Sequence, residues 1–286
     1  MIRLKLIAML CCLSGFAAGA EVWAPGVSLS GGWVDNNKSG GKDYWNDDSS
    51  MCWAATASSV IQWWQNQNPA SLTSTTVPNT LVWDVIRTVY KNVGGNPSAA
   101  FDFWINGLKK NEYGVPIEPD SMDFGNQGKD NADWFYGGFL TSVYSTADSP
   151  IYIDGSTSGN VYTKAAALVG ALTSGYTLSI EVGTNDGRAS HAITLWGLEY
   201  HETSDGLVLD KAYITDSDDG YYGLVAAKVD TKVGSGIYLH GMKFENLAYN
   251  ITRADGMRSA VVVPEPATVT LSLCALTGLL MRRRRK

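Results

Sequence analysis

The stretch "DDSSMCWAATASSVIQWW", residues 47–64, decides how the rest of the chain is read. Trp53, Ala57, Val60, Ile61 and Trp64 recur at three- and four-residue spacing, which predicts an amphipathic helix from Met51 onward. Ser49 or Ser50 offers an N-cap, and Pro69 follows a polar "QNQN" ending. Cys52 therefore falls in the first helical turn. Unpaired backbone N–H groups and aligned peptide dipoles favour negative charge there, and the thiolate is the nucleophilic form of a cysteine whose free pKa is about 8.5. Asp47 and Asp48 oppose that charge, so a cation is expected near Cys52.

Outward from this helix the pattern changes along the chain. Before it, "EVWAPGVSLSGGWVDNNKSGGKDYWNDDSS" is rich in Gly, Asn, Asp and Ser, reading as an irregular packed lead-in with turns at Gly31-Gly32 and Gly40-Gly41. After it, helical pieces are expected at 81–91 and 99–110, a loop at 123–138, and a helix at 162–175 ended by Gly175. Strands are expected at 176–183, 191–200 and 207–218, with two or more beyond Gly220. A helix-rich first half and a strand-rich second half predict an α+β fold in one domain, residues 21–258.

The two ends read differently from the middle. Residues 1–20 carry Arg3 and Lys5, an apolar run from Leu6 to Phe16 and the small ending Ala18-Gly19-Ala20, the pattern of a secretory signal cut before Glu21. At the other end, in 259–286, "VPEP" (263–266) precedes a mostly apolar run from Ala267 to Met281 and a terminal "RRRRK". This segment resembles the PEP-CTERM sorting signal of Gram-negative bacteria. That resemblance implies export to the cell surface or outer envelope, processing by a membrane sorting enzyme, and membrane contact only through this segment before processing. The arginines would remain cytoplasmic. Between the ends, residues 21–263 carry a net charge of −12, which argues against nucleic acid as a partner.

Cys11 and Cys12 lie in the signal and Cys274 in the tail, which leaves Cys52 as the one thiol of the central domain. An internal disulfide and a cysteine-based metal cluster are both excluded there, so an exported domain keeps a single thiol for another reason. Of three histidines, His201 sits in the polar "HETSDG" and reads as a solvent-exposed turn residue, and His240 lies on an expected strand. His191 opens an apolar strand directly after the loop "GTNDGRAS", where functional side chains are often presented. A hairpin folded at Thr203-Ser204 would set Asp216 opposite His191, with Asp218 projecting to the same face; a slip of two residues would exchange them. A thiol at a helix start, a histidine and an acid that orients it are what acyl transfer through a thioester requires.

"GGWVDNNKSG" followed by "CWAATASSVIQWW", and later "SHAITLWGLEY" followed by "AYITDSD", resemble the Mac/IdeS family of secreted immunoglobulin-degrading cysteine endopeptidases. The resemblance implies a papain-like fold, with a helical part carrying the nucleophile and a C-terminal antiparallel sheet. It implies Cys52 as nucleophile, His191 as its partner, Asp216 as the orienting acid and Asp218 as a second acid nearby. Lys38 matches the family lysine that helps form the oxyanion hole with the Cys52 backbone N–H; its sequence context alone reads as an exposed loop lysine. The likeness resides in these blocks and does not extend through residues 70–175.

The expectation is an exported cysteine endopeptidase acting on a protein substrate, without a cofactor. Two alternatives stay open on the sequence. Thiol-dependent amidases, transglutaminases and acyltransferases use the same three groups. A surface binding protein with a vestigial site would use the many tryptophans and tyrosines for recognition.

Overall fold

The computed structural model describes residues 19–39, 48–69, 82–109, 112, 137–140, 151–154, 160–184, 190–218, 222–232, 236–241 and 249–259. Residues 1–18 of the expected signal, residues 260–286 of the sorting segment, the turn at Gly40-Gly41 and most of the expected loop at 123–138 lie outside them. Within them the chain mixes helices and an antiparallel sheet, as α+β requires. Helices α1 (Cys52–Gln67), α2 (Val82–Val89), α3 (Pro97–Asn106) and α4 (Val161–Thr173) accompany strands β1 (Ala20–Trp23), β2 (Ile151–Asp154), β3 (Tyr176–Thr184), β4 (Ser190–Thr203), β5 (Gly206–Thr215), β6 (Val225–Lys232), β7 (Gly236–His240) and β8 (Tyr249–Arg258).

The sheet closes on itself. Strand β4 pairs with β3 and β5, and the ladder continues β5-β6-β7-β8 back to β3, every pair antiparallel. β1 extends one flank of β4, and β2 extends one flank of β8. Closure leaves the six central strands without a free edge. In β3 the run from Thr177 to Ile180 is buried on both faces, and alternation returns only at half-buried Glu181 before buried Val182.

The α1 helix is more deeply set than an amphipathic surface helix. Every residue from Trp53 to Ile61 is buried, as are Trp63, Trp64 and Gln65. It lies between α2 and α3 on one side and β3, β4 and β8 on the other. The hydroxyls on its polar positions are therefore paired inside the protein: Thr56 with Ser179 of β3, Ser58 and Ser59 with Asn36 of the lead-in segment. Trp63 donates to the Pro25 carbonyl and Trp64 to that of Arg258, which fixes the helix against both ends of the domain. Burial at this depth is why truncating one such tryptophan would cost about 3–5 kcal/mol.

The β4-β5 hairpin corrects the expected register. Thr203 pairs with Gly206 across a turn at Ser204-Asp205, one residue further along than expected, which shifts the strand register by two, and two irregularities follow at Leu195/Gly197 and Glu199/Tyr200. Its ladder ends at Thr194↔Thr215, so Asp216 and Asp218 lie just past the strand. His201 is on β4 rather than in a turn, bonded through Nδ1 to Asp210 at 2.8 Å.

Candidate active site

The start of α1, the start of β4 and the end of β5 meet at one place. Met51 is the N-cap of α1, and its side chain makes no capping bond; Ser49 and Ser50 do not cap either. The Ser50 N–H goes instead to Asn92 Oδ1, and the Ser49 hydroxyl accepts from Asn92 Nδ2. The Asp48 carbonyl, the i−4 acceptor for Cys52, receives the Met51 N–H. The Cys52 backbone N–H is at the first helical position, where the helix itself supplies no acceptor.

His191 bridges the thiol and an acid. Its Nε2 lies 2.6 Å from Asp216 Oδ1, with the histidine side chain 15% exposed and Asp216 almost fully buried. The other ring nitrogen, Nδ1, is the one left to bond the Cys52 thiol, and the Ala192 backbone N–H also donates to that sulfur. Asp216 is held in turn by the Asp218 N–H, which donates to the same Oδ1 at 3.0 Å. Thr215, one residue earlier, accepts from Trp196 Nε1 and donates to the Val34 carbonyl, so the end of β5 is tied to β4 and to the lead-in.

These contacts set the protonation states. For Cys52, burial pushes the thiol up, but bonding and charge from His191, the Ala192 N–H and Lys38 outweigh it, and the net pKa falls. For His191, burial works against the cation, yet the bonds and charges of Asp216 and Cys52 push its pKa up to about 9. Both directions favour a thiolate-imidazolium pair, which titrates as a unit.

Lys38 is not the exposed loop lysine its sequence context suggests. Its side chain is 3% exposed, with Nζ donating to the Ser49 carbonyl at 2.7 Å and 3.2 Å from Asp218 Oδ1. The Lys38 backbone N–H bonds the Ser217 carbonyl, which clamps the lead-in to the turn after β5. Asp218 thus pairs with Lys38 and not with His191. The Asp48 carboxylate takes the Ser39 N–H and hydroxyl at 2.7 and 3.0 Å, which fixes the segment carrying Lys38. Asp47 lies outside the described residues.

All five sequence-selected residues, Lys38, Cys52, His191, Asp216 and Asp218, therefore converge. Four of them, all but Asp216, line a cleft of about 360 Å³ together with Trp53, Gly94, Gly95 and Glu181. His201 and His240 are not on this cleft; His240 Nε2 instead sits 3.0 Å from Asp230. Sequence reasoning missed Glu181, Asn92 and the glycine pair. Glu181 had a visible signal, a carboxylate alternating with apolar residues in a strand. Gly95 had a weaker one: an added Cβ would sit 2.4 Å from the Trp53 ring, which only the fold reveals.

No family model matches the chain. It is similar to an IgM protease of Streptococcus suis, 26% identical over 218 residues, which span 66% of this chain and 18% of that protein. The chain therefore spans less than a fifth of that relative's length.

Proposed function

We propose that the chain is a thiol-dependent hydrolase of papain-like fold. More particularly, it is an exported cysteine endopeptidase of the Mac/IdeS kind, with immunoglobulin-like proteins as the first substrates to test. The observation that carries this reading is the continuous Cys52-His191-Asp216 hydrogen-bond chain at the N-terminus of a buried helix. The similarity to a protein named IgM protease supports proteolysis over other acyl transfer. Export rests on the two terminal sequence patterns.

In this reading Cys52 Sγ attacks the scissile carbonyl, and the negative charge moves to the carbonyl oxygen. Two donors would receive it: the Cys52 backbone N–H, which has no helical acceptor, and Lys38 Nζ. An ammonium has three N–H donors, and Lys38 uses two on Ser49 and Asp218, which leaves one. A donor of this kind is worth roughly 3 kcal/mol in the transition state. The His191 imidazolium then protonates the leaving amine, giving a thioester on Cys52. Neutral His191 takes a proton from water as that water attacks the thioester, and the acid product leaves. Asp216 keeps the ring oriented and stabilises its charged form throughout.

Cys52→Ala should abolish the appearance of new N-termini in a protein substrate while the fold persists. Unchanged proteolysis by this variant would refute the assignment. Amine incorporation or side-chain amide hydrolysis without backbone cleavage would move the chain to the transglutaminase or amidase class.

A further inference from the structure

The mechanism leaves Glu181 without a role, although it lines the cleft. It stands opposite Ala192 in the β3-β4 ladder, and the Ala192 N–H donates to the Cys52 sulfur. Directly opposed residues of an antiparallel pair share a face with Cβ atoms about 5 Å apart. The carboxylate therefore begins one residue pair from the nucleophile.

The nearest cation to Glu181 among the described residues is held by another group. Arg253 makes a two-point bond to Asp255, 2.6 Å from Nε and 2.8 Å from Nη2, and its Nη2 also reaches Ser98 Oγ. Its Nε is 4.0 Å from Glu181 Oε1. Asp255 is 2% exposed, so this guanidinium balances a buried carboxylate first. Lys38 is similarly engaged by Asp218 and the Ser49 carbonyl. On the cleft wall Asp218 is matched by Lys38, and behind it Asp216 is matched by the His191 imidazolium and Asp255 by Arg253, so Glu181 is the carboxylate whose cation is shared. Burial pushes the Glu181 pKa up; Arg253 pulls it back, and Asp255 adds to the rise. A cation entering the cleft would relieve that carboxylate. Gly94, on the same cleft, leaves open space where the aliphatic stem of a long basic side chain can lie.

We infer that the cleft selects protein substrates carrying a lysine or arginine close to the scissile bond, with Glu181 as the specificity-determining residue. This rests on the peptidase reading above.

Two measurements separate the two claims. The first needs no turnover: the rate at which Cys52 reacts with a trimethylammonium-ethyl methanethiosulfonate is divided by that for the neutral methyl reagent. The ratio is expected to favour the cation in the parent, to fall about five- to tenfold in Glu181→Gln for a charge several ångströms away in a partly wet site, and to reverse in Glu181→Lys. A ratio unchanged in Glu181→Gln overturns the inference. The second maps cleavage sites in an unfolded protein mixture. A basic residue enriched at one fixed position by the parent and lost with Glu181→Gln supports it. Cleavage abolished by Cys52→Ala but without basic preference overturns the inference and leaves the peptidase reading standing. No cleavage by the parent sinks the peptidase reading, and the reagent ratio then decides whether the cleft takes cations.

Discussion

Replacing Asp216 with asparagine should weaken the imidazolium without removing the thiol. The rise of the His191 pKa from 6.5 to about 9 corresponds to roughly 3 kcal/mol in favour of the charged ring, reached against the cost of burial. The Nε2···Oδ1 bond of 2.6 Å to a buried carboxylate is the first of the contacts producing it. A hydrogen bond to a charged group contributes about 1.5–3 kcal/mol, so its loss should lower the His191 pKa by about one to two pH units. The thiolate then loses part of its counter-charge, and the Cys52 pKa climbs. The assay is the rate of iodoacetamide alkylation at Cys52 from pH 4 to 10, followed by intact mass. The parent should react well below the ordinary thiol range. In Asp216→Asn the acid limb should move up by about one pH unit, with a roughly tenfold slower reaction at pH 6. Superimposed profiles would show that Asp216 does not hold the imidazolium and would refute the reasoning.

Three further outcomes follow from the same geometry. Lys38→Ala should reduce kcat about 10²- to 10³-fold while slowing alkylation by a neutral reagent much less, since the Lys38 charge is the last of the groups lowering the Cys52 pKa, and Lys38→Arg should recover part of kcat; steady-state kinetics on a peptide would check this. Gly95→Ala places a methyl 2.4 Å from the Trp53 ring, so it should destabilise the fold by about 1–3 kcal/mol, visible as a lower Tm. The third concerns pH. In a Cys52→Ala background the bond and charge of Asp216 remain but those of Cys52 are gone, so the folded His191 pKa lies above its unfolded 6.5 and below the parent's; that stabilisation is complete below pH 6.5 and is lost as pH rises through the folded pKa, before pH 9. The stability gap between this background and its His191→Asn derivative, measured by urea unfolding, should therefore shrink from pH 5.5 to pH 9; a growing gap would contradict the sign.

The legibility of this site in the sequence varied by residue. Cys52 was readable because one thiol at a helix start has few structural reasons to be there, and His191 because few histidines competed. Asp216 was reached through a hairpin register that the structure shifts by two residues; the pairing survives because Asp216 lies beyond the ladder, where a turn rather than strand alternation aims its side chain. Lys38 was invisible to spacing and burial patterns, since its 3% exposure arises from a loop clamped by Ser217 and Asp48 far along or across the chain. The closed sheet was equally hidden. Alternation predicts strands, but the β4-β5 and β3-β8 pairings that complete the ring are set by long-range packing against α1 and α4.

The central claim is that the Cys52 thiolate is the group that cuts peptide bonds. Its most direct test is a titration of the parent with iodoacetamide at pH 6, in which residual cleavage of a protein substrate is plotted against the fraction of Cys52 alkylated. The expected plot is a straight line that reaches zero activity when one equivalent has been incorporated at Cys52. Cleavage that persists with Cys52 fully alkylated would contradict it.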